Sequence, residues 1–272
     1  MAQSYEIKPE QSLELLKELH ILTRDGKLNQ DSRRKLKQVY HLVQFIEPLI
    51  REVVEQKGDV TIVDHGAGKS YLGFILYDLV LKALNVGEVI GIETREDLVK
   101  TTAALAERLG FARMRFINET VAESISDSAI GKQVDIVTAL HACNTATDDA
   151  IRFALEKDAQ FIVLVPCCQA EVAAELRQVK AKLLAGTPLA ELVRHGIHTR
   201  EFGSQLTNVL RCLLLESHGY QLTVTELVGW EHSMKNELIV ARKGHKRGGA
   251  RERAESIVDT FMLGNLKARF IY

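Results

Sequence analysis

The sequence predicts a doubly wound α/β fold: a mostly parallel sheet covered by helices on both faces, preceded by a helical extension. Three observations carry that expectation. Short β-branched runs alternate with helix-length segments through the middle of the 272-residue chain. Those runs are almost continuously apolar, as strands buried on both faces of a parallel sheet must be. Near the end, two further strand-like runs lie a short connection apart, which favours an antiparallel pair.

In chain order, residues 1–57 read as helical. "SLELLKELHIL" is a short apolar-rich helix followed by the turn-rich "TRDGKLNQDS". From Asp31 onward Leu36, Val39, Tyr40, Val43 and Ile46 recur at helical spacing, with Arg33, Arg34, Lys35 and Lys37 on the other side of the first turns. Pro48 is expected to break or kink that helix. Strands follow at "DVTIVD", "EVIGIE", "MRFIN", "VDIVTALHA" and "AQFIVLVPCC". Between the first of these lie the helices "SYLGFILYDLVLKAL" and "REDLVKTTAALAERLG", the latter closed by Gly110. The amphipathic "GSQLTNVLRCLLLESHG" leads to the closing strands "YQLTVTELV" and "NELIVARK". Beyond them "GHKRGGARERAES" reads as a mobile basic linker before a last helical stretch, "IVDTFMLGNLKARF". The expected division is a helical extension over 1–57, a cofactor-binding domain over 58–244, and a basic linker with a C-terminal helix over 245–272.

Composition restricts the class. A hydrophobic fraction of 46% and a charged fraction of 26% are those of an ordinary globular protein. No apolar run reaches the ~18 residues that span a bilayer, and "MAQSYEIKPEQ" has no signal-peptide core. A cytoplasmic location and no membrane partner are expected. Four cysteines, Cys143, Cys167, Cys168 and Cys212, are too few and too scattered for a disulfide framework. A net charge of −1 leaves any nucleic-acid contact to local basic patches.

The stretch "VDHGAGKS" (Val63 to Ser70) ends as a phosphate-binding P-loop ends. That loop needs a glycine five residues before Gly68, where this chain has the strand residue Val63. A strand, then Asp64-His-Gly66-Ala67-Gly68, then a helix is instead a nucleoside-cofactor turn, whose glycines let backbone approach the ligand. A dehydrogenase fingerprint would want glycine at Tyr71, which is here taken with Gly66, Ala67 and Gly68 as a candidate cofactor contact. An acid at the start of the turn suits S-adenosyl-L-methionine (SAM), whose ammonium Asp64 could meet directly or through water. Glu93 closes the second strand 25 positions after Gly68 (93 − 68), near the ~20-residue spacing at which an acid meets ribose hydroxyls. Asn118 and Glu119, ending the third strand, are candidates for the adenine edge, and Leu140 with His141 for the donor contact at the end of the fourth.

Four stretches, "VDHGAGKSYLG", "LHACNTATDDAI", "VPCCQAE" and "EHSMKNELIVARK", together resemble the class I SAM-dependent methyltransferases of the branch containing the eukaryotic tRNA acceptor-stem 2′-O-methyltransferase and many bacterial proteins. The "HAC…ATD" and "PCC" pair is the specific part. The resemblance implies a Rossmann-like sheet of about seven strands, the last antiparallel, and SAM as cofactor. One departure is visible: members often carry a histidine soon after the cysteine pair, where this chain has Ala170.

Ligands of open α/β sheets sit beyond the carboxyl ends of the strands. His141 and Cys143 therefore face the methyl donor together with Cys167 and Cys168. His141 is the candidate base and Asp148 an acid to orient it or the acceptor, although His141 as a donor or backbone contact stays open. The cysteines read equally as small apolar fillers. With no CxxC pair, no metal is expected. Lys235 and Asn236, opening the final strand, are candidate substrate contacts. Arg33, Arg34, Lys35 and Lys37, with Lys246, Arg247, Arg251 and Arg253, form two basic stretches able to meet RNA phosphates. The reading is a SAM-dependent methyltransferase acting on RNA, with a tRNA or rRNA ribose 2′-hydroxyl as first guess and no DNA partner. Its rivals are a small-molecule or protein methyltransferase and a SAM-binding module that transfers nothing.

Overall fold

A computed structural model describes residues 7–140, 145–166, 170–183, 187–227, 237–245 and 248–272. Seven strands build one sheet: β1 (Thr61–His65), β2 (Glu88–Glu93), β3 (Met114–Asn118), β4 (Ile136–Leu140), β5 (Phe161–Val165), β6 (Tyr220–Glu226) and β7 (Glu237–Lys243). Their spatial order is β3-β2-β1-β4-β5-β7-β6. The first five run parallel, and β7 enters antiparallel between β5 and β6. The order reverses between β1 and β4, which places a crevice at the carboxyl ends of those strands. The doubly wound sheet predicted from the sequence is the observed one.

Strand residues alternate between two cores. Ile62 faces the side covered by α1 (Leu13–Glu18), α2 (Gln30–Lys57), α3 (Tyr71–Leu76) and α5 (Glu96–Arg108). Helix α3 passes through a π-helical turn (Tyr77–Leu81) into the short α4 (Lys82–Leu84). Val63 faces the other side, where α6 (Val121–Ser126), α7 (Thr145–Glu156) and α9 (Gly196–Ser217) lie. A third cluster joins α8 (Glu171–Leu183) and α9 to α10 (Ala250–Thr260) and α11 (Lys267–Phe270). Each fully buried Leu, Ile or Phe in these layers contributes roughly 1.5–3 kcal/mol.

Two elements differ from expectation. Helix α2 is not broken at Pro48: Ile46, Leu49, Ile50 and Val53 are all buried in the core, and that packing offsets the one lost backbone bond. The basic stretch read as a linker is helical from Ala250, since Ala250, Ala254 and Val258 form a buried stripe. Its arginines sit outside that stripe: Arg253 pairs with Glu216 and Arg251 with Glu255.

Candidate functional site

The turn after β1 is shaped by backbone that only small residues adopt easily. Gly66 and Gly68 have φ of 65° and 57°, and Ser70 follows at 48°. The Ala67 N–H donates to the Ile92 carbonyl (3.0 Å) and the Gly68 N–H to Glu93 Oε2 (2.8 Å), so the end of β2 grips the turn. A Cβ on Gly68 would find room, with Arg95 Nη2 at an ordinary 3.7 Å, so it is the positive φ that favours glycine there. Ser70 is fully buried and gives its hydroxyl to Asp64, while Lys69 is exposed. In a P-loop both side chains would turn to the phosphates.

Asp64 and His65 are adjacent in β1 and face opposite sides. Both Asp64 oxygens are occupied: Oδ2 accepts from Ser70 Oγ (3.0 Å) and Oδ1 from Thr138 Oγ1 (2.8 Å). The carboxyl is 3% exposed, and burial pushes its pKa up to about 6 against the two hydroxyl donors. Asp64 thereby fixes the turn from beneath. Gly73, one helical turn on, leaves room for this arrangement, since a Cβ there would lie 2.5 Å from Ser70 Oγ.

On the other face lies a cavity of about 320 Å³. Its walls come from the ends of three strands and from α7: His65 and Gly66, Glu93 and Arg95, Glu119 and Val121, then Ala146 and Asp149. Glu93 is its best-anchored acid. Burial would raise its pKa, but hydrogen bonds from Arg95 and the Gly68 N–H outweigh that and hold it below the usual carboxylate range. Glu119 is pushed the other way, by burial first and then by Asp127 and Glu123, and among the described residues its Oε2 has no hydrogen-bond partner. Asp149 is raised too, by burial and then by Asp148. Three carboxyl side chains against one guanidinium make the lining hostile to phosphate and suited to a neutral or cationic ligand.

A methyltransferase-domain family model matches residues 34–175, just over half of the chain. The chain belongs to the methyltransferase-domain family. A curated relative, the Bos taurus "Glutathione S-transferase C-terminal domain-containing protein", is 26% identical over 235 residues. That alignment takes in 80% of this chain but only 34% of the relative, so the chain spans about a third of that protein's length. Among solved structures, the CMeT domain of the citrinin polyketide synthase aligns at a TM-score of 0.46 and 17% identity, over 80% of this chain and 58% of that one. An rRNA methylase from Streptococcus thermophilus aligns at 0.41 and 11%, over 69% and 88%.

Of the residues predicted to bind a cofactor, Gly66, Glu93 and Glu119 line the cavity of this methyltransferase domain. Ala67 and Gly68 form its turn. Asn118 donates its amide to the Glu93 carbonyl (3.0 Å) and so braces the β2 end. Leu140 and Tyr71 are half-buried against the core of the other face. Asp148 accepts from Arg211 (2.6 and 3.1 Å) and from Arg269 Nε (2.6 Å), so its oxygens serve a buried ion network. His141, Cys143, Cys167, Cys168, Lys235 and Asn236 lie outside the described residues. Arg33 and Arg34 are exposed and Lys37 half-buried on α2.

Sequence reasoning missed His65, Arg95, Asp149 and the arginine partners of Asp148. His65 carried a signal: a polar residue at the end of an apolar strand, one step from Asp64 and so on the opposite face. Arg211 carried one as well, as a lone cation in the apolar run "NVLRCLLL". A fully buried arginine demands an acid.

Proposed function

We propose that this chain is a SAM-dependent methyltransferase of the branch that methylates RNA, with its donor site in the cavity beside the glycine turn. The observation that carries the donor half is the join between Glu93 and the turn. An acid ends β2, touches the Gly68 N–H and opens on a cavity whose lining is acidic. Ribose hydroxyls are donors for Glu93, and Glu119, whose buried Oε2 has no partner among the described residues, suits an amino group of the base. Gly66 and Gly68 allow the ligand's chain close to the backbone. SAM, when bound, supplies an electrophilic methyl group on a sulfonium. The protein's own part is to align that group with an acceptor lone pair and to exclude water. His141 is the candidate for receiving the acceptor's proton, and Asp148 supports the wall on which α7 begins.

The RNA half rests on the sequence resemblance and on the exposed arginines Arg33 and Arg34 at the start of α2. A ribose 2′-hydroxyl of tRNA or rRNA is the first acceptor to try, in a cytoplasmic setting. A small-molecule acceptor is the second reading, favoured by one fact: Arg251 and Arg253 already pair with Glu255 and Glu216. Calorimetric titration with SAM tests the donor half. Binding is expected, weakened about tenfold or more in Glu93→Ala, as loss of a hydrogen-bonded charged group would give. Equal affinity in the variant would remove the cavity as the donor site.

A further inference from the structure

We infer that His65 is itself a donor-site residue, which hydrogen-bonds the nucleoside part of the ligand from the floor of the cavity. The inference rests on the donor-site reading above and adds a residue that the motif alone assigns to no role. His65 is 5% exposed and lies tilted against Phe153, with ring centroids 5.4 Å apart. Its ring therefore packs beside Phe153 in the core of one sheet face, and the residue is one of those lining the cavity next to Gly66. Among the described residues neither Nδ1 nor Nε2 has a hydrogen-bond partner. Buried polar atoms of this kind are rare, because desolvation without a compensating bond is costly.

A purely structural role does not account for the ring. A leucine would fill nearly the same volume beside Phe153 and would leave no polar atom stranded. The position instead offers one donor and one acceptor in a dry wall, since burial drives the imidazole pKa down to about 4 and keeps it neutral. A second orphan, Glu119 Oε2, is found in a residue lining the same cavity. The ligand that satisfies both must present a donor to the carboxyl group and a donor or acceptor to the imidazole. Nucleoside hydroxyls and the amino-purine edge meet that demand. A phosphate does not, because Glu93, Glu119 and Asp149 would all repel it.

The test compares wild type, His65→Leu and His65→Asn in thermal melts and in titration with S-adenosylhomocysteine. His65→Leu is expected to melt at or above the wild-type temperature when free. It should nevertheless lose about tenfold or more in affinity, the scale of a lost buried hydrogen bond. His65→Asn, which keeps a donor and an acceptor, should retain part of the binding. In wild type, saturation with S-adenosylhomocysteine should shift the imidazole ¹⁵N resonances of His65, assigned by their absence from His65→Asn. Unchanged affinity in His65→Leu, or unmoved His65 ring resonances in a saturated protein, would overturn the inference and leave the donor site in place. Absence of binding in wild type would overturn the donor-site reading and the inference together. If His65→Leu fails to fold, the resonance shift decides alone.

Discussion

Asp64 and His65 share one strand end, yet burial drives their ionisation in opposite directions. Asp64 rises from 3.8 to about 6, so the native state holds its proton more tightly than the unfolded chain does. Its contribution to stability is complete below about pH 3.8 and is lost as pH rises through 6. His65 falls from 6.5 to about 4, so its contribution is present above 6.5 and is lost as pH falls toward 4. The two slopes oppose between pH 4 and 6, each worth up to about 3 kcal/mol. Replacing one should unmask the other. Relative to wild type, Asp64→Asn should lose stability on acidification from pH 6.5 to 4, and His65→Leu should gain it. Urea unfolding at several pH values reads both, and profiles parallel to wild type would show that neither group is as dry as its packing indicates. At this scale the sequence was half legible. Glycine and acid types name the turn, because glycine suits its backbone and an acid suits the ligand proposed for it. Which face each side chain takes depends on β1 pairing with β2 and β4 in one register, a property of the sheet and not of the motif.

Helices α7, α9 and α11 meet in an ion network. Arg211, fully buried on α9, and Arg269 on α11 both bind Asp148 in the first turn of α7, and Arg269 also pairs with Glu171 on α8. Such a network ties the C-terminal helix to the walls around the strand ends. Asp148→Ala should cost about 3–5 kcal/mol, since it removes the carboxylate that compensates a buried guanidinium. Urea denaturation measures this, and a loss under about 1 kcal/mol would mean that the pair is structurally dispensable. Strands were the most legible elements, because apolar β-branched runs bounded by Gly and Asp have few alternatives. Helix α10 was not. Its charges hide the Ala250, Ala254 and Val258 stripe, whose meaning appears only once α8 and α9 supply a surface. Pro48 does not end the helix for a related reason: buried neighbours on both sides hold α2 together across it.

For the whole molecule, the proposed donor and acceptor recognition occupy separate surfaces. The donor would lie in an acidic cavity at the sheet's carboxyl edge, whereas RNA phosphates would be met by the exposed start of α2. Reversing charge at Arg33 and Arg34 should therefore leave donor affinity unchanged. The same change should weaken RNA binding and flatten its salt dependence, with the log–log slope falling by roughly one for each phosphate no longer neutralised. Filter binding across a salt series checks this, and an equal fall in donor affinity would argue against separate surfaces. The measurement that bears most directly on the central claim is the fate of radiolabelled methyl groups from SAM, incubated with the purified protein and cell extract, with Glu93→Ala as control. The expected result is label that ribonuclease removes and protease does not, and that the control lacks. Label confined to protein or small molecules would contradict the RNA half, and no transfer by a protein that still binds SAM would contradict the assignment as a transferase.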